Sequence, residues 1–320
     1  MKTQTYLKYD IIIICGGPAG ISAGIYAARA GRKVLIIEKY APGGQLNLIG
    51  EIENYAGFKK IAGSMLAQNF EEHAKSLGVE FVMDEVASVA KSRSGFVVKT
   101  NTSSYQAISV ILAGGCHSRE LGIDGEMKFK GYGVSYCALC DGNFFKGKTV
   151  AVVGSGDSAF SDAVYLASIC KKVYVLTKAK LKLHNYAEDE LDDKKNVKVL
   201  KAAISTRILG EEKLEKLEYE QDGKRKTIAV DGVFVAIGRT PETAILKDFV
   251  ELTDGGYVKS NDKMETSLAG VFVCGDVRDG SIRQIATAVG DGAIAGTNAS
   301  KYVLVKQKKE RLIVKTKKLN

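Results

Sequence analysis

The chain contains no tryptophan, three prolines, three histidines and six cysteines in 320 residues. So few prolines exclude Pro-rich linkers, whereas 34 glycines suit tight strand-to-helix turns. Six cysteines are too few to staple a secreted fold of this length. Four of them, Cys15, Cys116, Cys170 and Cys274, stand alone in apolar or Gly-rich stretches and read as small buried residues. His73, His117 and His184 are not spaced for metal ligation, so no metal site is expected. No apolar run approaches the roughly 18–20 residues that a membrane helix needs. Residues 1–9 lack the apolar stretch and cleavage site of a signal peptide. The expectation is a soluble cytoplasmic protein with no membrane contact.

Acidic residues are outnumbered, but unevenly. The formal charge is +9, and residues 301–320 hold eight Lys/Arg against Glu310 alone. The rest of the chain is nearly balanced, which argues against a nucleic-acid binder. Hydrophobic residues make up 45%, enough for a core. The length exceeds the usual domain of roughly 100–200 residues, so two domains are expected.

What the sequence does have is an internal repeat. Residues 10–39 and 149–178 match at a constant offset of 139. Each copy runs from an apolar stretch (residues 11–14, residues 150–153) into a turn of small residues. The turns read Cys15-Gly16-Gly17-Pro18-Ala19-Gly20 and Gly154-Ser155-Gly156-Asp157-Ser158-Ala159. A helical stretch with Tyr26 or Tyr165 at the same place follows, then a second apolar run. That is a strand–turn–helix–strand unit, twice. In such a unit the turn glycines let the backbone approach a pyrophosphate, and the helix aims its first amides at the anion. Two copies in register are far more specific than one Gly-x-Gly match. In the first copy Cys15 takes the place of the first glycine, so some backbone strain is expected there. The fold class is therefore α/β, with two Rossmann-like dinucleotide-binding domains, the second inserted in the first. Residues 1–118 with 243–320 would form the first domain and residues 119–242 the second.

The residue that meets the adenosine ribose sits at the end of each second strand. In copy one it is Glu38, 18 residues after Gly20. A carboxylate accepts from ribose hydroxyls and repels a 2′-phosphate, which suits FAD or NAD. In copy two the position is Thr177, followed by Lys178. With Lys171, Lys172, Lys180 and Lys182 this makes a basic stretch without an acid, which suits the 2′-phosphate of NADPH.

The sharpest chemical signal is Cys137-Ala138-Leu139-Cys140-Asp141. Cysteines three apart can close a small reducible ring whose potential and thiolate pKa are tuned by their surroundings. Asp141 could move protons for the departing thiolate. A zinc site would need a second pair or a suitably spaced histidine.

With these residues in hand, the chain resembles the low-molecular-weight thioredoxin reductases over essentially its whole length. The resemblance is carried by the two fingerprints, the redox pair, Gly43-Gly44-Gln45-Leu46 with Glu53-Asn54-Tyr55, and Gly275-Asp276-Val277 with Arg283-Gln284. It implies FAD on Gly17, Pro18, Ala19, Gly20, Glu38, Gly44 and Gly275, with Gln45 and Asn54 lining the flavin. It implies that Asp276 holds the ribityl chain, and that Arg283, Gln284 and Ile285 open a helix facing the pyrimidine end. It implies NADPH on Gly154, Gly156, Asp157, Ser158, Ala159, Thr177 and Lys178. It further implies that Cys140 is the thiol nearest the flavin, that Cys137 attacks the partner disulfide and that Asp141 is the acid/base. The implied partner is thioredoxin or a thioredoxin-like protein, and the implied assembly is a homodimer with a rotation between domains.

One departure matters. The family usually carries His-Arg-Arg and a further Arg where the 2′-phosphate binds, and this chain has Thr177-Lys178-Ala179 and Leu183. NADH or reduced ferredoxin therefore remain alternative donors, and a flavin-based redox-sensing binding protein is the alternative of another class. The basic tail reads as a solvated helix end. Deleting residues 306–320 is expected to leave turnover within about twofold at physiological salt, where surface charge is screened over about 8 Å. A large, salt-dependent rise in the KM for the protein substrate would make the tail a docking element instead.

Overall fold

Ile11, Ile12, Ile13 and Ile14 are each 2% exposed or less. Four consecutive buried residues mean a strand covered on both faces, the hallmark of a central parallel strand. In the computed structural model this strand, Leu7–Ile14, lies between the parallel strands Val34–Glu38 and Ser104–Leu112. The structure describes residues 6–178, 191, 194–246 and 248–319, with side chains as far as Leu312. Ala179, Lys180, Lys182, Leu183 and His184 lie outside the described residues.

The chain divides into two units, residues 1–116 with 241–320 and residues 117–240. The first is built on a sheet ordered Glu80–Met83, Val34–Glu38, Leu7–Ile14, Ser104–Leu112, Gly95–Thr100, Val86–Ser92. The long strand Ser104–Leu112 is shared. Its first half pairs antiparallel with Gly95–Thr100, and its last residues pair parallel with Val271–Val273. Side chains alternate across the sheet, as the period of two requires. Ile11 and Ile13 join the core under the helices Pro18–Arg29 and Ile285–Leu319, while Ile12 and Ile14 join the opposite core. Burying each such side chain is worth about 1.5–3 kcal/mol. The two helices touch backbone to backbone. A Cβ on Gly292 would land on the Ala19 carbonyl, and one on Gly296 on the Ala23 carbonyl.

The second unit repeats the plan. Its five-stranded parallel sheet is ordered Val197–Lys201, Lys172–Thr177, Thr149–Val153, Gly232–Val235, Val134–Ser135. The helix Asp157–Ile169 buries Ala159, Phe160, Ala163 and Leu166 against it. A three-stranded antiparallel sheet, Ile204–Leu209, Lys216–Gln221 and Lys224–Ala229, completes the unit. The chain's two passages between the units, Cys116–Ser118 and Arg239–Pro241, pair with each other as short strands. Among the described residues, no helix is long and apolar enough to cross a membrane.

The basic tail belongs to the helix Ile285–Leu319, and part of it is anchored. Gln307 donates to Asp10 (2.8 Å) and accepts from Arg32 (3.3 Å). A truncation that tests charge alone should therefore begin after Gln307.

One acid ties this helix to the neighbouring turn. Asp291, 7% exposed, accepts from the Gly275 amide (3.2 Å) and from two nitrogens of Arg278 (3.1 and 3.4 Å). Asp291→Ala would leave a guanidinium and a buried amide without their acceptor. A loss of about 3 kcal/mol is expected, read as a lower urea midpoint for the transition of this unit. An unchanged midpoint would show that the pair is solvated and of no structural weight.

Candidate active site

The first Gly-rich turn leaves the end of Leu7–Ile14 and enters Pro18–Arg29 within three residues. Cys15 takes up φ +78°, a conformation that costs a non-glycine residue about 1–2 kcal/mol. Gly154, its counterpart in the second copy, does not adopt a positive φ. The strain expected from the sequence is therefore real and confined to the first copy. At Gly17 a Cβ would meet nothing within 4 Å, so the backbone faces open space. At Gly20 a Cβ would land on the Cys15 carbonyl. The helix has no side-chain cap and no acid in its first turn, which leaves its dipole and first amides uncompensated.

Glu38 closes the turn from the end of Val34–Glu38. Its carboxylate is 8% exposed and accepts from the amides of Gly16 (2.7 Å) and Tyr40 (3.0 Å). Two oxygens offer about four acceptor sites, so capacity for hydroxyl donors remains. Further residues converge here. Gly43 donates to the Gly16 carbonyl (2.7 Å), and a Cβ on Gly44 would lie 3.2 Å from the Gly17 Cα. A Cβ on Gly275 would lie 2.8 Å from Ala19 Cβ, which brings the turn Gly275–Val277, and Asp276 with it, beside the helix start. Gln45 donates to the Cys116 carbonyl (2.7 Å), and Asn54 donates to Gln284 (3.1 Å). The helix itself begins at Ile285, so Arg283 and Gln284 precede it. Arg283, at φ +62°, places its guanidinium 5.1 Å from the Tyr257 ring centre. Open backbone at a helix start, uncompensated amides and a strand-end carboxylate together fit the diphosphate and ribose of FAD.

The second turn has the same design with less positive character. Gly156 faces open space, and a Cβ on Gly154 would land on the Ala236 carbonyl. Ala159 is fully buried and Ser158 exposed, while Asp157 puts a carboxylate into the first turn. At the strand end, Thr177 is fully buried and Lys178 exposed. Of the basic cluster read from the sequence, the described lysines Lys171, Lys172 and Lys178 do not come together. Lys171 and Lys172 stand at the start of Lys172–Thr177, about 16 Å from its end at about 3.3 Å per residue. Dinucleotides bind at the carboxyl ends of such strands, so these two lysines belong to the other edge.

Cys137 and Cys140 are disulfide-bonded across the short helix Ala138–Asp141, with Cα atoms 5.3 Å apart. The Cys140 amide donates to Cys137 Sγ (3.2 Å), and the Asp141 amide to the Cys137 carbonyl (3.1 Å). Cys137 is half-buried and Cys140 exposed. Burial pushes the Asp141 carboxyl above the ordinary range, and a hydrogen bond from Ser135 opposes that rise.

A model of the pyridine nucleotide-disulphide oxidoreductases matches residues 9–292.

The chain belongs to that family.

Within it, the chain is a member of the low-molecular-weight thioredoxin reductase group. It is 38% identical over 309 residues to the thioredoxin reductase of Bacillus subtilis, covering 92% of this chain and 95% of that one. The crystal structure of thioredoxin reductase from Streptococcus pyogenes superposes with a TM-score of 0.88 at 38% identity, over 94% of this chain and all of that one. A ferredoxin–flavin thioredoxin reductase from Clostridium acetobutylicum is 32% identical, with a TM-score of 0.52 over 94% and 100% of the two chains.

Four cysteines stand outside the disulfide. Cys116, Cys170 and Cys274 are buried, and Cys15 is half-buried rather than buried. Burial pushes the Cys15 thiol up to about 12, with help from the Glu38 and Glu242 charges, and the Cys170 thiol up to about 11. Cys274 is raised as well, by burial first. His73 and His117 are exposed. Among the described residues, no cluster of His, Cys, Asp or Glu could hold a metal.

Sequence reasoning missed two groups. Ser135 bonds to both Cys137 and Asp141, and a serine two residues before a cysteine carries no signal of its own. Asp291 lies in a run of Ala and Gly inside a helix, and a lone acid in that setting was a legible sign of a buried partner. A thiol near pKa 11–12 holds almost no thiolate at pH 8. Native protein reduced and treated with iodoacetamide at pH 8 is therefore expected to be modified at Cys137 and Cys140, with Cys15, Cys170 and Cys274 labelled only after unfolding. Rapid native labelling of Cys15 would show that its thiol is not shielded.

Proposed function

We propose that this chain is an NADPH-dependent thioredoxin reductase, passing electrons through FAD and the Cys137/Cys140 pair to thioredoxin or a thioredoxin-like protein. The observation that carries the reading is a formed disulfide next to a half-buried acid, in a chain that carries the dinucleotide-binding turn twice. FAD belongs to the first unit, on Gly17, Pro18, Ala19, Gly20, Glu38, Gly44, Gln45, Asn54, Gly275, Asp276, Arg283, Gln284 and Ile285. NADPH belongs to the second, on Gly154, Gly156, Asp157, Ser158, Ala159, Thr177 and Lys178. Bound FAD supplies a two-electron store between the nucleotide and the disulfide. The protein's own residues do the rest. Glu38 orients the ribose, and the amides at the start of Pro18–Arg29 balance the diphosphate charge. Two electrons and two protons open the disulfide. The Cys137 thiolate then attacks the partner disulfide, a mixed disulfide forms, and Cys140 resolves it. Asp141 delivers and recovers the proton of the departing thiolate. A cytoplasmic homodimer is the assembly that accompanies this reading.

A second reading, a donor other than NADPH, is favoured by one observation. Among the described residues of the basic stretch, only Lys178 is exposed at the strand end, and Asp157 adds a negative charge to the first turn of the helix. Lys178→Ala is therefore expected to lower the NADPH-over-NADH ratio of kcat/KM by roughly tenfold or more, the worth of a charge-assisted bond. Lys171→Ala and Lys172→Ala should leave the ratio alone. No reduction by either nucleotide would turn the assignment toward a protein donor.

Purified protein should be yellow, release FAD on denaturation and bleach anaerobically with NADPH. Colourless protein that cannot be reconstituted would sink the cofactor assignment. Cys137→Ser should develop a long-wavelength absorbance shoulder that fades on acidification, whereas Cys140→Ser should trap a mixed disulfide with a thioredoxin lacking its resolving cysteine. The reverse pattern would exchange the two roles, and full turnover in either variant would remove the pair from the mechanism.

A further inference from the structure

Ser135 ends the strand Val134–Ser135 and is 5% exposed. Its hydroxyl oxygen lies 2.6 Å from Asp141 Oδ2 and 3.3 Å from the Cys137 carbonyl, and it accepts from the Cys137 amide at 3.1 Å. We infer that Ser135 is a positioning residue, holding the Asp141 carboxyl against the Cys137 backbone in both of its protonation states. The inference rests on the proposed acid/base role of Asp141.

A serine has one hydrogen and two lone pairs. With Asp141 ionised, the hydrogen goes to the carboxylate, and 2.6 Å is the length of a charge-assisted O–H···O bond. One lone pair takes the Cys137 amide. With Asp141 protonated, the carboxyl O–H can donate to the second lone pair, and the serine hydrogen turns to the Cys137 carbonyl. The heavy atoms need not move between the two arrangements. An acid that must lose and regain a proton beside a sulfur thereby keeps one position throughout.

Among the described residues, Ser135 is the side chain that bonds to the Asp141 carboxyl. Burial is the larger influence on its pKa and Ser135 the other. On its own turn lie Cys137 and Cys140, which titrate only once the disulfide is open, and the Tyr165 ring lies against the neighbouring Gly142. Asp162 on the same helix as Tyr165 feels Arg239, and Arg239 donates to the Tyr136 carbonyl (3.1 Å). Tyr136 in turn donates to the buried Glu126 (2.7 Å), which fixes the residue between Ser135 and Cys137.

The sign follows from the donor. The bond from Ser135 favours the carboxylate, so its loss moves the Asp141 pKa further up. The test is the reduction of the Cys137–Cys140 disulfide by dithiothreitol in the intact holoenzyme, followed across pH by alkylation. The reductant's two thiols become a disulfide, two electrons open Cys137–Cys140, and the departing thiolate takes its proton from Asp141, which recovers it from solvent. Dividing each variant's rate by that of the native protein at the same pH cancels the titration of the reductant. Ser135→Ala should shift the Asp141 limb upward by about one pH unit, the worth of a modest bond to a charged group. Ser135→Thr should restore the native profile. In an Asp141→Asn background, Ser135→Ala should change no limb at all. Should Ser135→Ala fail to fold, Ser135→Cys, a near-isostere with a weaker donor, should show a smaller upward shift. A Ser135→Ala profile that superposes on the native one, or a shift that persists without Asp141, overturns the inference. An acid limb that survives Asp141→Asn removes the role of Asp141 instead, and with it the reading on which this inference stands.

Discussion

Everything in this chain hangs on one constraint: the first amides of a helix have no partner inside the helix, and here they are held at the end of a buried parallel strand. That arrangement occurs twice, after Leu7–Ile14 and after Thr149–Val153. A strand covered on both faces cannot tilt or fray, so the helix start is fixed to within the packing tolerance of the core. The uncompensated amides then become a rigid site for an anion rather than a defect. Gly17 and Gly156 keep the approach open, and Gly20 and Ala159 let the helix close onto the strand. The second pair of roles differs in its margin. Ala159 fits where the turn passes through Gly154, but in the first copy the Cys15 carbonyl leaves room for glycine alone.

The two copies have been specialised by small changes of charge at the same address. Glu38 and Thr177 stand at equivalent strand ends, one a carboxylate held by two amides, the other a buried hydroxyl. The first helix begins without an acid, and the second begins with Asp157. The first unit thus pairs a helix start free of acid with a strand-end carboxylate held by two amides. The second helix start, with Asp157 in its first turn, is the less positive of the two. Asp291 adds a further device to the first unit by tying Gly275 and Arg278 to the long helix, so that the Asp276 turn and the start of Ile285–Leu319 share one anchor.

The redox pair is controlled by its immediate backbone. The Cys140 amide points at Cys137 Sγ, and the Asp141 amide at the Cys137 carbonyl, so the ring closes on a single helical turn. Burial raises the pKa of the lone thiols Cys15, Cys170 and Cys274 and leaves them protonated at neutral pH. Selectivity among six cysteines therefore comes from dielectric environment and not from sequence position alone.

Much of this was legible in the residues themselves. A repeat at constant offset, apolar runs of strand length, glycines at fixed spacing and a Cys-x-x-Cys-Asp run are local patterns, and local patterns survive in one dimension. They were enough for the α/β class, for two dinucleotide-binding folds and for the disulfide pair. The tertiary structure alone decided what depends on direction and depth. Lys171 and Lys172 are neighbours of Lys178 along the chain, yet an extended strand carries them about 16 Å to the wrong edge. The repeat places Thr177 at a strand end, and only the packing shows that it is fully buried there. Gln307, inside a run of lysines, is held by Asp10 and Arg32 from the far end of the chain. Ser135 became visible only when a strand end and a helical turn met around one hydroxyl. Sequence spacing determines which elements form, because helix and strand periods are local. Which side chains meet is decided by the packing of those elements, because burial and hydrogen bonding join residues that the chain itself keeps apart.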